Sequence, residues 1–284
     1  MAATLDAVRY PIPAFFTVFL LMAAAASGQP AANSPAALQP AQAQALVERA
    51  LATELRSAQD ASHPMRYRLR KSSPRLTTTK EIVETRDGDV ARLLTVYDKP
   101  LSAADEQIEQ DRLSALLADP SRQRHRKQSE EGDMGIVLKL LRMLPKAFLY
   151  QYAGVAGNVQ KFTFRPNPAF DPPDMETRAL TSMSGELWID AAQERVARLE
   201  GHLQQDTNYG WGVLGKLDKG GWIVLEQADV GSRNWRIVRF QMKMNLRLLF
   251  KVKDFDTIEE MTDYKPVPAA LDYRQAIQIL RASH

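Results

Sequence analysis

The chain contains no cysteine. That excludes disulfides, thiolate catalysis and cysteine-held metals, and it excludes a lipid-modified cysteine, so the chain is not itself a lipoprotein. Histidine is scarce too. His63, His125, His202 and His284 are scattered, with no H-E-x-x-H spacing. A zinc site would need ligands converging from distant segments, and polar surface histidines are the expected reading. Charge excess is small: 37 Lys plus Arg stand against 34 Asp plus Glu, a net +3. A bulk field that weak does not hold nucleic acid. Ser184-Gly185 lacks the G-x-S-x-G nucleophile elbow. Asp254 with Asp256, and Glu259 with Glu260, are the nearest approach to carboxylate pairs. Adjacent strand residues point to opposite faces, and i,i+2 acids on a wet face read as solvated. No nucleophile, base and orienter join. The chain reads as non-enzymatic, with no cofactor and no metal.

What is present begins with an address. Arg9 precedes an apolar stretch from Ala14 to Met22, followed by Ala23 to Ala26, Ser27 and Gly28. This is the h-region and small-residue site of a signal peptide, cut between Ala26 and Gly28. Pro11 and Pro13 shorten the run below the roughly 20 residues of a spanning helix, so inner-membrane anchoring is the alternative. Residues 29–41 are Ala, Pro, Gln, Ser and Asn, a disordered linker. The 284 residues, 45% hydrophobic, allow one large domain with a core that needs no staples.

From Pro40 the pattern is helical, with Leu46, Ala50, Leu51 and Leu55 on one face and Glu48, Arg49, Glu54 and Arg56 mostly off it. At MRYRLRK the period becomes two: Met65, Tyr67 and Leu69 alternate with Arg66, Arg68 and Arg70. Two Thr- and Val-rich runs meet at Arg86-Asp87-Gly88-Asp89, a hairpin signal. Ser102 to Pro145 reads as a helical insertion. Ser102-x-x-Asp105 caps its first part, Pro120 breaks it, and a basic stretch from Arg122 to Lys127 leads into MGIVLKLLRMLP. That last helix is apolar enough to be largely buried. The remainder is β-rich: AFLYQYAG, NVQKFTFRP, SGELWID, RVARLEGHLQQ and the long WRIVRFQMKMNLRLLF. In the last, Val238, Phe240, Met242, Met244, Leu246, Leu248 and Phe250 alternate with Arg239, Gln241, Lys243, Asn245 and Arg247, which suits an antiparallel sheet with one wet face. Its length predicts that it is curved or bulged. A strand around Thr257 to Lys265 follows, and residues 269–284 form a terminal helix and tail.

YGWGVLGKLDKGGW contains a literal G-x-G-x-x-G. The dinucleotide fingerprint needs a helix opening after it, so that backbone amides hold the pyrophosphate. Here Gly215 is followed by Lys-Leu-Asp-Lys-Gly-Gly and then a strand. The segment reads as two strands around a turn at Asp218 to Gly221, with Trp211 and Trp222 packing across the bend.

GELWIDAAQERVARLEG, then YGWGVLGKLDKGGW, then the long strand, in an exported chain with this order of elements, resemble the bacterial outer-membrane lipoprotein carrier superfamily, which includes lipoprotein carriers and sigma-factor regulatory sensors. The resemblance spans residues 40–268 and is sharpest over 184–265. It implies an α+β fold: a large curved antiparallel sheet, a half-barrel wrapped around helices, as one domain over 42–268 with the insertion at 102–145. It also implies an apolar concave face able to hold acyl chains, and no catalytic motif. The large basic insertion at 120–145 departs from the family.

Phe240, Met242, Met244, Leu246 and Leu248, with Val137 and Leu141 of the apolar helix, are the candidate lining of that face, Met being adaptable. The competing reading is plain core packed beneath the helix. The expected function is periplasmic binding of a lipid, acyl chain or lipoprotein. The alternative is an envelope interaction or sensor module with a filled core. Peripheral membrane contact would run through the basic stripe Arg66, Arg68, Arg70 and Lys71 and the patch Arg122 to Lys127. A solvated face is the blander reading of both.

Overall fold

The computed structural model describes residues 38–209, 215–248 and 251–282. The signal-peptide reading, nearly all of the linker, Gly210, Trp211, Gly212 and Phe250 lie outside them. Among the described residues the fold is mixed α and β: a large, open, all-antiparallel sheet of thirteen strands with five helices.

Helix α1 (Pro40–Gln59) opens with Pro40 in its first turn, where the missing N–H costs nothing. Ala43, Leu46, Val47, Ala50 and Leu51 are buried, as the 3.6-residue period requires. Glu54 belongs to the same buried stripe, which corrects its expected place on the wet side. Strands β1 (Met65–Ser72), β2 (Thr77–Val83) and β3 (Val90–Val96) form a meander, with the Gly88 hairpin where its Asp-Gly predicts it. The two-residue strand β4 (Lys99–Pro100) closes that edge.

Helix α2 (Ala103–Ala118) is capped by Ser102, whose Oγ accepts from the Asp105 N–H at 3.2 Å. The expected break at Pro120 is a helix start instead. Asp119 separates α2 from α3 (Pro120–Ala147), with Pro120 in its first turn. The 28-residue helix runs through the basic stretch and past Pro145, which falls in its last turn. Nor is the apolar segment largely buried: Ile136 and Val137 are 41% and 45% exposed. Every residue from 131 to 137 is exposed, so no described element packs on the middle of this helix. Its two ends are held. Gln123 Nε2 donates to the carbonyls of Asp87 and Gly88, and Glu130 accepts from the Asp89 N–H at 3.0 Å. At the other end Leu140, Met143 and Leu144 pack on the core beside α1.

Strands β5 (Phe148–Ala156) and β6 (Val159–Pro166) form a hairpin, then come the single-turn α4 (Met175–Arg178) and a short 3-10 turn. Strands β7 (Met183–Asp190), β8 (Arg195–Leu203), β9 (Thr207–Tyr209), β10 (Gly215–Leu217), β11 (Trp222–Asp229), β12 (Trp235–Leu248) and β13 (Lys251–Pro266) follow. The main path runs β4-β3-β2-β1-β13-β12-β11-β8-β7-β6-β5. Helix α5 (Tyr273–Ala282) is the last described element.

A strand begins at Gly215, and no helix opens there. The turn after it differs from expectation. Both β10 and β11 pair antiparallel with β12, through Leu217↔Leu246 and Trp222↔Lys243, so they run in the same direction along one neighbour. Asp218 to Gly221 is an interruption within one long strand path rather than a hairpin. The reason is the partner: fourteen residues of β12 need a comparably long edge beside them. Strands β8 and β9 are interrupted opposite the same place, and the Leu203 N–H donates to Gly221 O across the gap. The expected bulge of β12 falls at Val238, where Glu226 pairs Arg239 and Gln227 pairs Ile237.

Two separate apolar cores result. One joins α1, the end of α3 and β5–β8, centred on Phe162, Leu187 and Ile189. The other joins β2, β3, α2 and α5 through Val83, Leu113, Ile277 and Leu280.

Candidate ligand-binding face

Residues directly opposed across an antiparallel pair share a face. The registers can therefore be followed from strand to strand. Tyr152, Phe162, Leu187, Leu199, Leu225 and Phe240 form one row from β5 to β12. The row continues through Glu259 and Lys71 to Thr78. This is the face that carries the α1-side core. On the opposite face, Arg198, Glu226, Arg239, Glu260 and Arg70 form a row of alternating charge across five strands. Arg70 bonds Glu260 at 3.1 Å and Asp98 at 2.8 Å, and Arg198 bonds Glu226. Exposed pairs of this kind contribute little stability each, about 0–1 kcal/mol, but like charges would oppose if the register slipped.

The period-two alternation of β12 is therefore real: Lys243, Asn245 and Arg247 are exposed, while Phe240, Met242, Met244, Leu246 and Leu248 are half-buried on the apolar face. Met244 and Leu246 rest against the α1-side core. Phe240, Met242 and Leu248 belong to neither core. Val137 stands exposed on α3, and Leu141 is half-buried there. The main packing partners of α3 are α1, α2, α4 and β5 rather than β12. The candidate residues thus divide: the five on β12 share one face, while the two on α3 stand apart from them.

Two residues extend the strand set. Leu69 of β1 pairs Met261 of β13. Both are half-buried, both lie outside the two cores, and Leu69 shares the face of Phe240 because it is two residues from Lys71. Leu69 was legible in the MRYRLRK alternation. Met261 was not, because it sits in TIEEMTDYK, where acidic doublets mask the period. Next along β1, Tyr67 stacks on Tyr264 at 4.9 Å. The Tyr264 hydroxyl donates to Ile237 O at 2.6 Å. Burial, the largest cause, raises both phenol pKa values. The stack closes one end of the apolar strip.

The basic stripe is internally paired. Arg66 bonds Glu81, Arg68 bonds Asp263, Arg70 bonds Glu260 and Asp98, and Lys71 bonds Glu259. In the basic patch Arg122 pairs Asp119, Arg126 pairs Glu130 and Lys127 pairs Glu131. Those acids come from neighbouring strands, from the turn between β3 and β4 (Asp98) or from one turn along the helix.

Two clefts lie elsewhere. One of about 690 Å³ is bordered by Arg86, Gln123, Lys127 and Arg274; another of about 400 Å³ lies between Asp171 and Asn208. Both are polar and open, unlike the enclosed apolar sites that usually hold small molecules. Among the described residues no three metal-ligating side chains come together, and no helix is long and apolar enough to cross a membrane. Comparison with protein-family models, curated proteins and solved structures finds no match to this chain.

Proposed function

We propose that this is an exported, periplasmic, non-enzymatic protein that binds a lipid or acylated ligand on the apolar face of β12, β13 and β1, in a half-barrel of the lipoprotein-carrier kind. One observation carries the reading. On the middle of the sheet Phe240, Met242, Leu69 and Met261 are half-buried on one face and belong to neither core, an apolar surface interrupted by the Lys71–Glu259 ion pair. An apolar face left open in an otherwise well-packed protein marks a binding surface.

Helix α3 supports the half-barrel. From Gln123 to Ala147 it covers roughly 36 Å at 1.5 Å per residue. It ties the β2–β3 turn to β5, elements that a flat sheet would hold about 40 Å apart at about 4.8 Å per strand. A curled sheet brings the two within easy reach of the helix, and on this reading the exposed segment 131–137 is the part that crosses the opening. Export rests on the apolar run and small residues up to Gly28.

The test is organic extraction of the protein purified from an envelope fraction, followed by mass spectrometry, beside a binding assay on two variants. Met242→Arg places an unpaired charge on the face without entering either core, and binding should fall at least tenfold with the circular dichroism spectrum intact. Lys243→Glu, on the opposite face, should bind as the wild type does. If both variants bind alike, or if the wild type carries and takes up no acyl species, the face is not a site and the protein is an interaction or sensor module.

A further inference from the structure

The larger cleft, of about 690 Å³, lies where the turn between β2 and β3, the first turns of α3 and the start of α5 meet. Four cations line it: Arg86 on the turn, Arg124 and Lys127 on α3, and Arg274 on α5. Among the described residues none of them has a carboxylate within hydrogen-bonding distance. Arg86 stands 4.0 Å from Asp272 and Lys127 stands 3.8 Å from Glu131, while Lys127 Nζ donates to Arg86 O at 3.0 Å. Arg274 lies over the ring of Tyr273, 4.8 Å from its centre. Arg122 and Arg126, on the same helix but outside the cleft, are closer to their acids: Asp119 at 3.4 Å and Glu130 at 3.0 Å. Helices α3 and α5 both begin at the cleft, so the positive ends of two helix dipoles add to its field. Asp119 and Asp272 already cap those helices, accepting from Ser121 N at 3.0 Å and Gln275 N at 2.8 Å. The donors left for a ligand are side chains.

We propose that this cleft binds a hydroxylated anion, a sugar phosphate or a sugar acid, whose anionic group is held by Arg124 with Lys127, Arg86 and Arg274. The site is separate from the apolar face and does not depend on it. Planar guanidinium forks match phosphate and carboxylate oxygens. The rest of the lining selects the body of the ligand. Asp87, Glu131 and Asp272 share the cleft with the four cations, which leaves an excess of one positive charge (4 − 3). That suits one anionic group on a neutral body and opposes a polyanion. Gln123 and Tyr273 are the most buried residues of the lining, 2% and 5% exposed. Gln123 Oε1 and the Tyr273 hydroxyl have no partner among the described residues. The amide is held in place, because Gln123 Nε2 donates to Asp87 O and Gly88 O, both at 3.0 Å. Buried polar atoms call for a partner, and a hydroxyl group, which both donates and accepts, serves either. The openness and polarity that tell against an apolar small molecule fit a charged, hydrated one.

The experiment is isothermal titration calorimetry of the whole chain with glucose 6-phosphate, glucuronate, glucose and inorganic phosphate. One or both sugar anions should bind about tenfold or more tightly than glucose or inorganic phosphate, and the stronger of the two tells phosphate from carboxylate. Arg124→Gln should weaken that anion by about fivefold or more. Arg122→Gln removes the same charge from the same helix outside the cleft, and should leave the affinity within about twofold. Tyr273→Phe should bring the sugar anion to within about threefold of inorganic phosphate. It should not lower the urea midpoint, since the hydroxyl it removes has no partner. Equal weakening by Arg124→Gln and Arg122→Gln reduces the site to surface charge and overturns the proposal. Binding of neither sugar anion overturns it too, as does inorganic phosphate binding as tightly as they do, which marks an ion site without a sugar.

Discussion

The two ends of the sheet are finished by different physics. At the β5 end the work is apolar. Phe148, Phe162, Phe164, Leu187 and Ile189 are buried under α1 and the end of α3. The outer edge of β5 is left bare: FLYQYAGVA carries no charge, and no described residue bonds its outer backbone. At the β3 end polar side chains seal the edge. Strand β4 pairs only Thr95 and Val96, and α2 completes the rest. Glu109 accepts from the Leu93 N–H at 2.8 Å, and Arg112 donates both to Ala91 O and back to Glu109. A buried carboxylate and a guanidinium thus take the place of a neighbouring strand. An exposed row of N–H and C=O groups invites pairing with another chain. One end has removed that hazard and the other has kept it.

The apolar end nevertheless has one polar bolt, and breaking it should have the largest effect. Glu54 of α1 accepts from Arg195 Nε at 2.8 Å and Nη2 at 3.0 Å, from the Val196 N–H at 2.8 Å and from Gln227 at 3.1 Å. Both members of the pair are under 10% exposed. Glu54→Ala leaves the buried Arg195 unpaired and should cost about 3–5 kcal/mol by urea unfolding. A loss below about 1 kcal/mol would mean water reaches Arg195. Glu109→Ala breaks the polar seal in the same manner but only in part, because Arg112 keeps its bond to Ala91 O. About 2–3 kcal/mol is expected, for an unpaired N–H and a weakened ion pair.

Glu54 and Glu109 also mark the limit of what the sequence revealed. The order of strands and helices, the capping at Ser102, the bulge in β12 and the alternation of its two faces were legible, because each follows from local period or turn chemistry. Glu54 was placed with the wet residues by its charge, although its spacing from Val47 and Ala50 puts it on the buried stripe. Glu109 bonds a strand sixteen residues earlier, and no local pattern encodes that. The apolar segment of α3 was expected to be buried because hydropathy says what a residue prefers, not whether a partner reaches it. The β12 half of the candidate site was readable.

The polar end should also respond to pH. Asp89 precedes β3, and its carboxyl is pushed up to about 7, chiefly by burial and then by Glu130 and Glu84, with Arg126 and Arg236 opposing. The folded pKa lies above the ordinary value of 3.8, so the folded state holds this proton more tightly. The stability this gives is fully present below about pH 4 and is lost as the pH rises through about 7. Asp89→Asn should flatten that slope and raise stability at pH 8 relative to wild type by about 1–2 kcal/mol, a value reduced for partial solvent access. Unfolding curves at pH 4, 6 and 8 for both proteins measure it. Parallel slopes would show that Asp89 is ionised throughout.

The smallest effect on stability is the one that tests the bare edge. Gln151 is an exposed residue near the middle of β5. Gln151→Lys replaces one exposed polar side chain with another, so unfolding should change by no more than about 0.5 kcal/mol. Association is a different matter. Two copies of β5 can pair antiparallel about a two-fold axis, and the two substituted lysines would then meet near that axis, where like charges oppose pairing. The wild type should therefore show mass rising with concentration in analytical ultracentrifugation, and Gln151→Lys should remain monomeric. β5 has one blunting device of its own, the irregularity in its register between Tyr152 and Gly154, where Gly154 has a φ of +117°. Bulges twist an edge away from partners. If the wild type is monomeric at every concentration, that single irregularity protects the apolar end as well as Glu109 and Arg112 protect the polar one, and the contrast between the two edges is one of means rather than outcome.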